Sequence, residues 1–321
     1  MTDMTGRLLL LDSASLYFRA FYGVPEVVGP SGVPTNAVRG LLDMIASLVE
    51  RSRPTHLVAC WDNDWRPAFR VAAIPTYKTH RVADGAAPVP DPDGGTGVVE
   101  EEVPDRLAVQ VPIIVDALAA LGIARVGVDG HEADDVIGTL TTLHRGELPI
   151  DIVTGDRDLF QLVDDANEVR VLYTARGGVR NPDLVDEAFL QEKYGVADGA
   201  AYADMAVLRG DTSDGLPGVT GIGEKTAAKL ITTYGSLQAL RDAIDAGDPA
   251  IKGAQRARLE AGADYLDAAP RVVEVVRDAP VGEVDLRVPS RVADPALMSR
   301  LAVDHGLTSS FDRVISALRL G

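Results

Sequence analysis

The sequence predicts an α/β protein with a mostly parallel, twisted sheet flanked by helices. Over the first ~180 residues, short runs rich in leucine and β-branched residues alternate with longer segments of helical periodicity. This alternation is typical of parallel strands joined by crossover helices. Beyond residue 180 the strand-like runs stop, and helical patterns continue to about residue 280. A hydrophobic content of 46% over 321 residues indicates a globular chain with a buried core.

Five apolar runs predict the strands, because continuous hydrophobic runs are typical of strands buried on both faces. They lie at residues 7–11, 55–61, 124–128, 149–153 and 169–173. Helices are predicted at residues 35–51, 105–121 and 132–144. In the first of these helices the apolar residues recur at helical spacing, at Val38, Leu41, Leu42, Ile45, Leu48 and Val49.

The chain is expected to divide into a core at residues 1–190, a helical subdomain at 191–285 and a C-terminal segment at 286–321 that packs back on the core. An insertion at about residues 66–104 interrupts the core. It begins with basic residues and ends in a segment rich in proline, glycine and acid. Loops this long inside a domain are usually functional or disordered. We expect the first half to be functional and the acidic second half to be mobile.

Composition excludes several classes of protein and of metal site. The single cysteine, Cys60, rules out an internal disulfide or a cysteine-rich zinc site and is consistent with the cytoplasm. No apolar segment reaches the ~20 residues of a membrane span. The net charge of −17 disfavours a nucleic-acid partner at first sight. However, seven acids lie between residues 84 and 105 and nine more form the set described next, so the rest of the chain is close to neutral.

Nine carboxylates occur in five short groups at the ends of apolar runs. Any one of them could be a surface residue or a helix N-cap. Together they predict a shared cation site, because clustered anions raise one another's pKa unless a cation compensates them. Oxygen ligands favour Mg²⁺ or Mn²⁺ over zinc, and we interpret the nearby His131 as structural. The nine are Asp12, Asp62, Glu132, Asp134, Asp135, Asp156, Asp158, Asp211 and Asp214.

Such a site predicts phosphodiester chemistry. Two ions about 4 Å apart can activate a water and stabilise the attacking and leaving oxygens of a phosphodiester. The sequence shows no Ser/His/Asp or Cys/His arrangement for covalent catalysis and no phosphate-binding GxxxxGK[ST] loop.

Residues 216–230 read as a helix, a tight glycine loop and a second helix. Gly218, Gly221 and Gly223 permit left-handed or closely approached backbone, and the amides from Gly223 onward form an anion site at a helix start. Lys225 and Lys229, one turn apart, place two cations on one face. An ordinary helical hairpin is the alternative, but beside the acids we favour the gripping of duplex DNA phosphates.

Six segments together resemble the 5′-nuclease, or flap endonuclease, family. They are LLLLDSASLYFRA, WDNDWRPAFR, PTYKTHR, HEADD, TGDRDLFQL and LRGDTSDGLPGVTGIGEKTA, and the resemblance extends from about residue 7 to about residue 235. It is strongest to the 5′→3′ exonuclease domain of bacterial DNA polymerase I. The remaining length leaves no room for a polymerase domain, so a freestanding enzyme is expected.

The resemblance implies a PIN-like nuclease core, a helical arch and a helix–two-turn–helix module. It assigns Asp12, Asp62, Glu132 and Asp134 to a first metal, and the other five acids to holding or orienting a second and a third. Lys78 and Arg81 match cations that steer and stabilise the scissile phosphate, and Tyr77 matches an aromatic that stacks on a terminal base. The remaining implied contacts are Arg19 and Arg70 to the substrate strand, Gly221, Gly223, Lys225, Thr226 and Lys229 to duplex DNA, and the carbonyls of Val219 and Ile222 to K⁺.

One segment departs from the family pattern, because the arch here is rich in proline, glycine and acid instead of helical and partly basic. We hypothesise that these acids repel DNA that is wrongly placed, which deletion of residues 85–96 with unchanged specificity would disprove.

The expected function is that of a monomeric, nucleoid-associated cytoplasmic nuclease that cuts 5′ flaps and 5′ ends of branched or nicked DNA in primer removal and repair. A ribonuclease of a related acidic-site fold would explain the acids but not residues 216–230. A DNA-junction scaffold with a degenerate site is disfavoured because all nine acids are present.

Overall fold

A computed structural model describes residues 6–82 and 101–321. Its centre is a six-stranded sheet in the order β3-β2-β1-β4-β5-β6. The first five strands in the chain pair in parallel, and β6 pairs with β5 in the antiparallel sense. The strands are β1 (Leu8–Asp12), β2 (His56–Trp61), β3 (Ala124–Gly127), β4 (Ile150–Thr154), β5 (Val169–Tyr173) and β6 (Asp183–Val185).

Fifteen α-helices lie in the described ranges. They are α1 (Ser13–Gly23), α2 (Asn36–Ser52), α3 (Ala68–Ala73), α4 (Asp105–Ala108), α5 (Val111–Leu121), α6 (Ala133–His144), α7 (Glu187–Tyr194), α8 (Gly199–Arg209), α9 (Glu224–Tyr234), α10 (Leu237–Asp245), α11 (Gly253–Ala261), α12 (Ala263–Ala268), α13 (Pro270–Val273), α14 (Pro295–His305) and α15 (Thr308–Leu318). None of them has the length and apolarity to cross a membrane.

The four leucines of β1 explain how the two faces of the sheet are covered. Successive side chains of a strand point to opposite faces. Leu8 and Leu10 belong to a core cluster with α6 and the helices between residues 187 and 273, whereas Leu9 and Leu11 belong to a second cluster with α2, α5, α14 and α15. The C-terminal helices pack on the first part of the chain, α14 against α5 and α15 against α2.

The predicted fold class and the five predicted strands are confirmed, and no strand end differs from its predicted position by more than one residue. The helices and the sixth strand differ from the prediction in the following ways. Helix α1 and strand β6 were not predicted. The helix predicted at 105–121 is two helices, because Pro112 cannot donate the hydrogen bond that would continue the first one. The side chain of Gln110 occupies the break and accepts a hydrogen bond from the amide of Ala37 at 2.8 Å.

Most of the predicted mobile acidic segment, including residues 85–96, lies outside the described residues. The predicted domain boundaries at 190 and 285 stay predictions.

Candidate functional site

The carboxyl edge of the sheet brings the first group of acids together. Because β1 lies between β2 and β4, all parallel, the residues that end or follow these strands meet at one edge. Helix α6 begins at the same edge with Glu132 as its N-cap. The edge borders a cavity of ≈ 330 Å³. Its charged lining residues are Asp12, Asp62, Lys78, Arg81, Glu101, Glu132, Asp134 and Asp156.

Asp12 is fixed by its position between β1 and α1. One carboxylate oxygen caps α1 by accepting a hydrogen bond from the amide of Ser15 at 3.1 Å, and the other accepts one from the hydroxyl of Thr154 at 2.7 Å. Burial, followed by the neighbouring charges of Asp62 and Asp156, raises the pKa of Asp12 from 3.8 to about 7. A carboxylate in this position is stabilised by any cation that enters the cavity.

A second set of contacts centres on Glu132. Lys78 Nζ lies 2.5 Å from one of its carboxylate oxygens, and the Tyr77 hydroxyl donates to the other at 2.8 Å. Burial alone would lower the pKa of Lys78, but the Glu132 carboxylate outweighs it, so the pKa is raised well above 10.5. The backbone of Lys78 is left-handed, with φ of +48°, a conformation that costs a non-glycine residue about 1–3 kcal/mol.

Three side chains with predicted roles in metal or DNA binding, Arg70, Tyr77 and Asp135, are turned inward. Arg70, 2% exposed, donates to both carboxylate oxygens of Asp135 at 2.9 and 2.6 Å, and Asp135 is fully buried. Asp135 also accepts from the amides of Glu132 and Val276, so it orients α6, and its predicted part in holding or orienting a metal stays a prediction. Arg70 cannot reach a DNA strand from this position. Tyr77 is 4% exposed and bonded to Glu132, so it is not placed to stack on a base.

The remaining acids form a contiguous second group. Asp214 pairs with Arg81 at 2.9 Å, and Asp211 pairs with Arg157 at 2.8 Å. Asp158 is half-buried beside them. Burial, followed by the charges of Asp156, Asp214 and Asp211, raises its pKa well above 3.8.

Asp134 connects the two groups. It lines the cavity of the first group and also a small pocket that contains Asp158 and Asp214. Burial, followed by the charges of Asp12, Asp156 and Glu132, raises its pKa well above 3.8. The acids therefore form one continuous cluster.

The donor set of this cluster is oxygen-only, which suits a hard divalent ion. As the side chains stand, however, no three acidic, histidine or cysteine groups in residues 6–82 and 101–321 are arranged to hold an ion. The physical reason lies in the ion pairs, because Lys78, Arg81 and Arg157 each hold a carboxylate in an internal contact. His131 is engaged by the carbonyl of Asp129, 3.0 Å from its Nδ1.

The glycine turn and the helix after it, α9, are present as predicted, but the first helix predicted within residues 216–230 is not: α8 ends at Arg209, and Leu216 forms a β-bridge with Asp211. Gly218 and Gly221 adopt left-handed backbone with φ of +66° and +75°, but Gly223 is extended and caps α9. Lys225 and Lys229 are exposed on α9, and Thr226 is half-buried in its first turn. The carbonyl of Val219 accepts the amide of Ile222 at 2.9 Å, and both side chains are buried.

Sequence reasoning missed several residues around these sites. Arg258 of α11 donates to the carbonyl of Gly221 at 3.3 Å. Arg157 and Thr154 hold acids of the cluster. The sequence does carry a signal for Arg157, because a basic residue between Asp156 and Asp158 can compensate the negative charge of neighbouring acids. Arg19 is half-buried and lines a separate groove of ≈ 460 Å³ beside residues 177–180.

The fold is that of a 5′ nuclease. The bacteriophage T5 flap endonuclease, solved as a pseudo-enzyme–product complex with DNA and metal ions, matches over 98% of both chains with a TM-score of 0.62 and 17% identity. This low identity supports the fold alone.

The sequence comparisons identify the family. Residues 7–195 match the family model "5'-3' exonuclease, N-terminal resolvase-like domain", and residues 197–292 match "5'-3' exonuclease, C-terminal SAM fold". The 5'-3' exonucleases of Streptomyces coelicolor and Mycobacterium tuberculosis are 55% and 48% identical, covering 97% and 98% of this chain and 99% and 98% of their own. DNA polymerase I of Mycobacterium tuberculosis is 39% identical over 86% of this chain and 28% of its own length. The chain belongs to the 5'-3' exonuclease family and is a nuclease, which confirms the resemblance drawn from its motifs.

Proposed function

We propose that this nuclease is structure-specific and hydrolyses DNA phosphodiesters at 5′ flaps and 5′ ends with two or three Mg²⁺ or Mn²⁺ ions. The observation that carries the proposal is the continuous cluster of buried and half-buried carboxylates at the sheet edge, reached by two basic side chains from residues 78–81. The full-length 5'-3' exonuclease relatives support the activity on 5′ ends, and the T5 flap endonuclease, which shares the fold, was solved with DNA and metal ions.

The carboxylates would hold the ions in two groups. Asp12, Asp62, Glu132 and Asp134 line the larger cavity. Asp156 lines it as well and joins Asp158, Asp211 and Asp214, which extend the donor set away from it. When bound, such ions supply the activated water and the charge stabilisation of phosphodiester hydrolysis.

The chain's own cations have a separate role. Lys78 and Arg81 already lie on carboxylates of both groups, so they are placed to compensate negative charge on a phosphate entering the cavity. Thr154 keeps Asp12 oriented, and Arg70 keeps α6 in place through Asp135.

Duplex DNA would be held at the glycine turn. The turn presents the backbone of Gly221 and Gly223 together with Thr226, and α9 adds the exposed Lys225 and Lys229. Binding of K⁺ by the carbonyls of Val219 and Ile222 belongs to the same proposal. We further propose a monomeric protein that acts in the cytoplasm, at the nucleoid, in primer removal and repair, supported by the full-length 5'-3' exonuclease relatives and by the match to DNA polymerase I.

The test is cleavage of a 5′-labelled double-flap DNA with Mg²⁺, with Mn²⁺ and with EDTA, in parallel with the Asp156→Ala protein. We expect incision at or next to the flap junction that requires metal and is lost in the variant. Tight flap binding without incision under any metal would instead indicate a DNA-junction scaffold.

A further inference from the structure

Two hydrogen bonds to backbone carbonyls join the segment that carries Lys78 to the turn that carries Asp214. The hydroxyl of Thr76 donates to the carbonyl of Gly215 at 2.7 Å, and the amide of Lys78 donates to the carbonyl of Asp214 at 2.9 Å. The two segments are 139 residues apart in the chain. We name this pair of contacts, formed by Thr76, Lys78, Asp214 and Gly215, the clasp.

The clasp leaves no space for a side chain at residue 215. Gly215 is left-handed, with φ of +74°, and a Cβ atom there would lie 2.0 Å from the carbonyl oxygen of Thr76. That oxygen cannot easily withdraw, because it also accepts the hydroxyl of Thr79 at 2.7 Å. Glycine is therefore required at 215 for close backbone approach as well as for its conformation.

The clasp determines where two basic side chains point. It bonds the amide of Lys78, whose backbone is left-handed and whose ammonium lies on Glu132. Three residues later, Arg81 lies on the carboxylate of Asp214, the residue whose carbonyl takes part in the clasp. Both cations of the proposed reaction thus depend on the same two hydrogen bonds.

A purely structural role would be expected to involve buried groups, but Thr76 is exposed. The neighbouring turn has independent support, since Arg66 donates to the carbonyls of Tyr77 and Pro75 at 2.7 and 3.1 Å. Loss of the Thr76 hydroxyl would thus shift the segment without unfolding it.

We propose that Thr76 and Gly215 are positioning residues that set Lys78 and Arg81 against the acid cluster for cleavage. This inference rests on the proposed function, in which these two cations act on the phosphate. Thr76→Val removes only the hydroxyl, and Thr76→Ser retains it. The matched control is Thr232→Val, which removes another exposed threonine hydroxyl that donates to a glycine carbonyl, that of Gly195 at 3.1 Å.

The measurements are the single-turnover cleavage rate of a 5′-flap DNA in Mg²⁺ and flap affinity in Ca²⁺ by fluorescence anisotropy. We expect Thr76→Val to cut about fivefold more slowly, which corresponds to loss of about 1 kcal/mol from one neutral hydrogen bond. Flap affinity should stay within twofold, and both Thr76→Ser and Thr232→Val should cut within twofold of the wild type.

Gly215→Ala should lower the cleavage rate at least tenfold. Its control is Gly247→Ala, where φ is +76° but no atom lies within 4 Å of the added Cβ, so it introduces the same backbone strain without the collision. If Gly215→Ala does not fold, the comparison of Thr76→Val with Thr76→Ser still tests the inference.

Two results would overturn the inference alone: Thr76→Val cutting as fast as the wild type, or Thr76→Ser cutting as slowly as Thr76→Val. A wild-type protein that binds the flap but never cuts it would overturn the proposed function, and this inference with it.

Discussion

Replacement of Lys78 by methionine should destabilise the metal-free protein and tighten its binding of divalent ions. Lys78 Nζ lies 2.5 Å from Glu132, and the two side chains are 10% and 4% exposed. Removal of one partner of a buried pair costs about 3–5 kcal/mol. Glu132 would keep the hydroxyl of Tyr77 at 2.8 Å and Arg70 at 3.3 Å. We therefore expect the lower limit, about 3 kcal/mol, in EDTA.

A thermodynamic cycle converts this loss into an affinity. A divalent ion on Glu132 replaces the missing positive charge, so in saturating Mn²⁺ the same variant should lose only about 1 kcal/mol, on the order of one hydrogen bond. The difference of about 2 kcal/mol must appear as tighter Mn²⁺ binding, roughly 30-fold. Cleavage should nevertheless become slower, because the variant loses a cation that we propose stabilises the phosphate.

Denaturant unfolding in EDTA and in Mn²⁺ gives the two stabilities, and titration calorimetry gives the Mn²⁺ affinity directly. Lys229→Met is the control, since Lys229 is exposed on α9, and it should change neither quantity appreciably. Equal destabilisation with and without Mn²⁺, or an unchanged Mn²⁺ affinity, would show that Lys78 and the ion do not compete for Glu132.

Three further predictions concern the acids and the glycine turn. Asp156→Ala should abolish cleavage while leaving flap affinity in Ca²⁺ within a few-fold, because Asp156 borders the cavity and not the glycine turn; a large loss of affinity would contradict this. Lys225→Ala should weaken binding to all duplexes and reduce the salt slope of log affinity by about one, as expected for one lost phosphate contact. A loss of sequence or junction selectivity instead would count against that role. In EDTA, the folded-state pKa of Asp12 near 7 lies above its unfolded value, so its ionisation reduces stability as pH rises from about 4 to about 7. Asp12→Asn should therefore raise the melting temperature relative to the wild type more at pH 8 than at pH 5, and an equal difference at both pH values would disprove the assignment.

The parts of the fold that could be predicted are those with a strong local pattern. The central strands are continuous apolar runs because both faces of the sheet are covered. Helix α1 has no such signal, since it is stabilised by a cap from Asp12, a residue we assigned only to the cation site. Strand β6 has three residues and exists through its pairing with β5, a tertiary contact that three residues cannot encode.

The candidate site likewise has a part that the sequence predicts and a part that it does not. The sequence locates the acids because strand ends and helix starts fix where their backbones lie. It does not show which way a long side chain turns. Arg70 lies in a basic, loop-like segment, yet its partners are Asp135, 65 residues away, and the carbonyl of Val272, 202 residues away. Tyr77 was likewise assigned to the DNA, although its hydroxyl is needed by Glu132.

Three basic side chains, Lys78, Arg81 and Arg157, point toward the acid cluster and change how its negative charge is compensated. The acids predicted a metal because clustered negative charge requires compensation. In this structure, Lys78, Arg81 and Arg157 provide part of that compensation internally. Divalent ions that bind these carboxylates, as we propose, would exchange with basic side chains already present, so an ion affinity would report a difference between two compensated states. The same exchange would release Lys78 and Arg81 toward an incoming phosphate, which would link ion binding to the placement of the two cations that we propose act on the substrate.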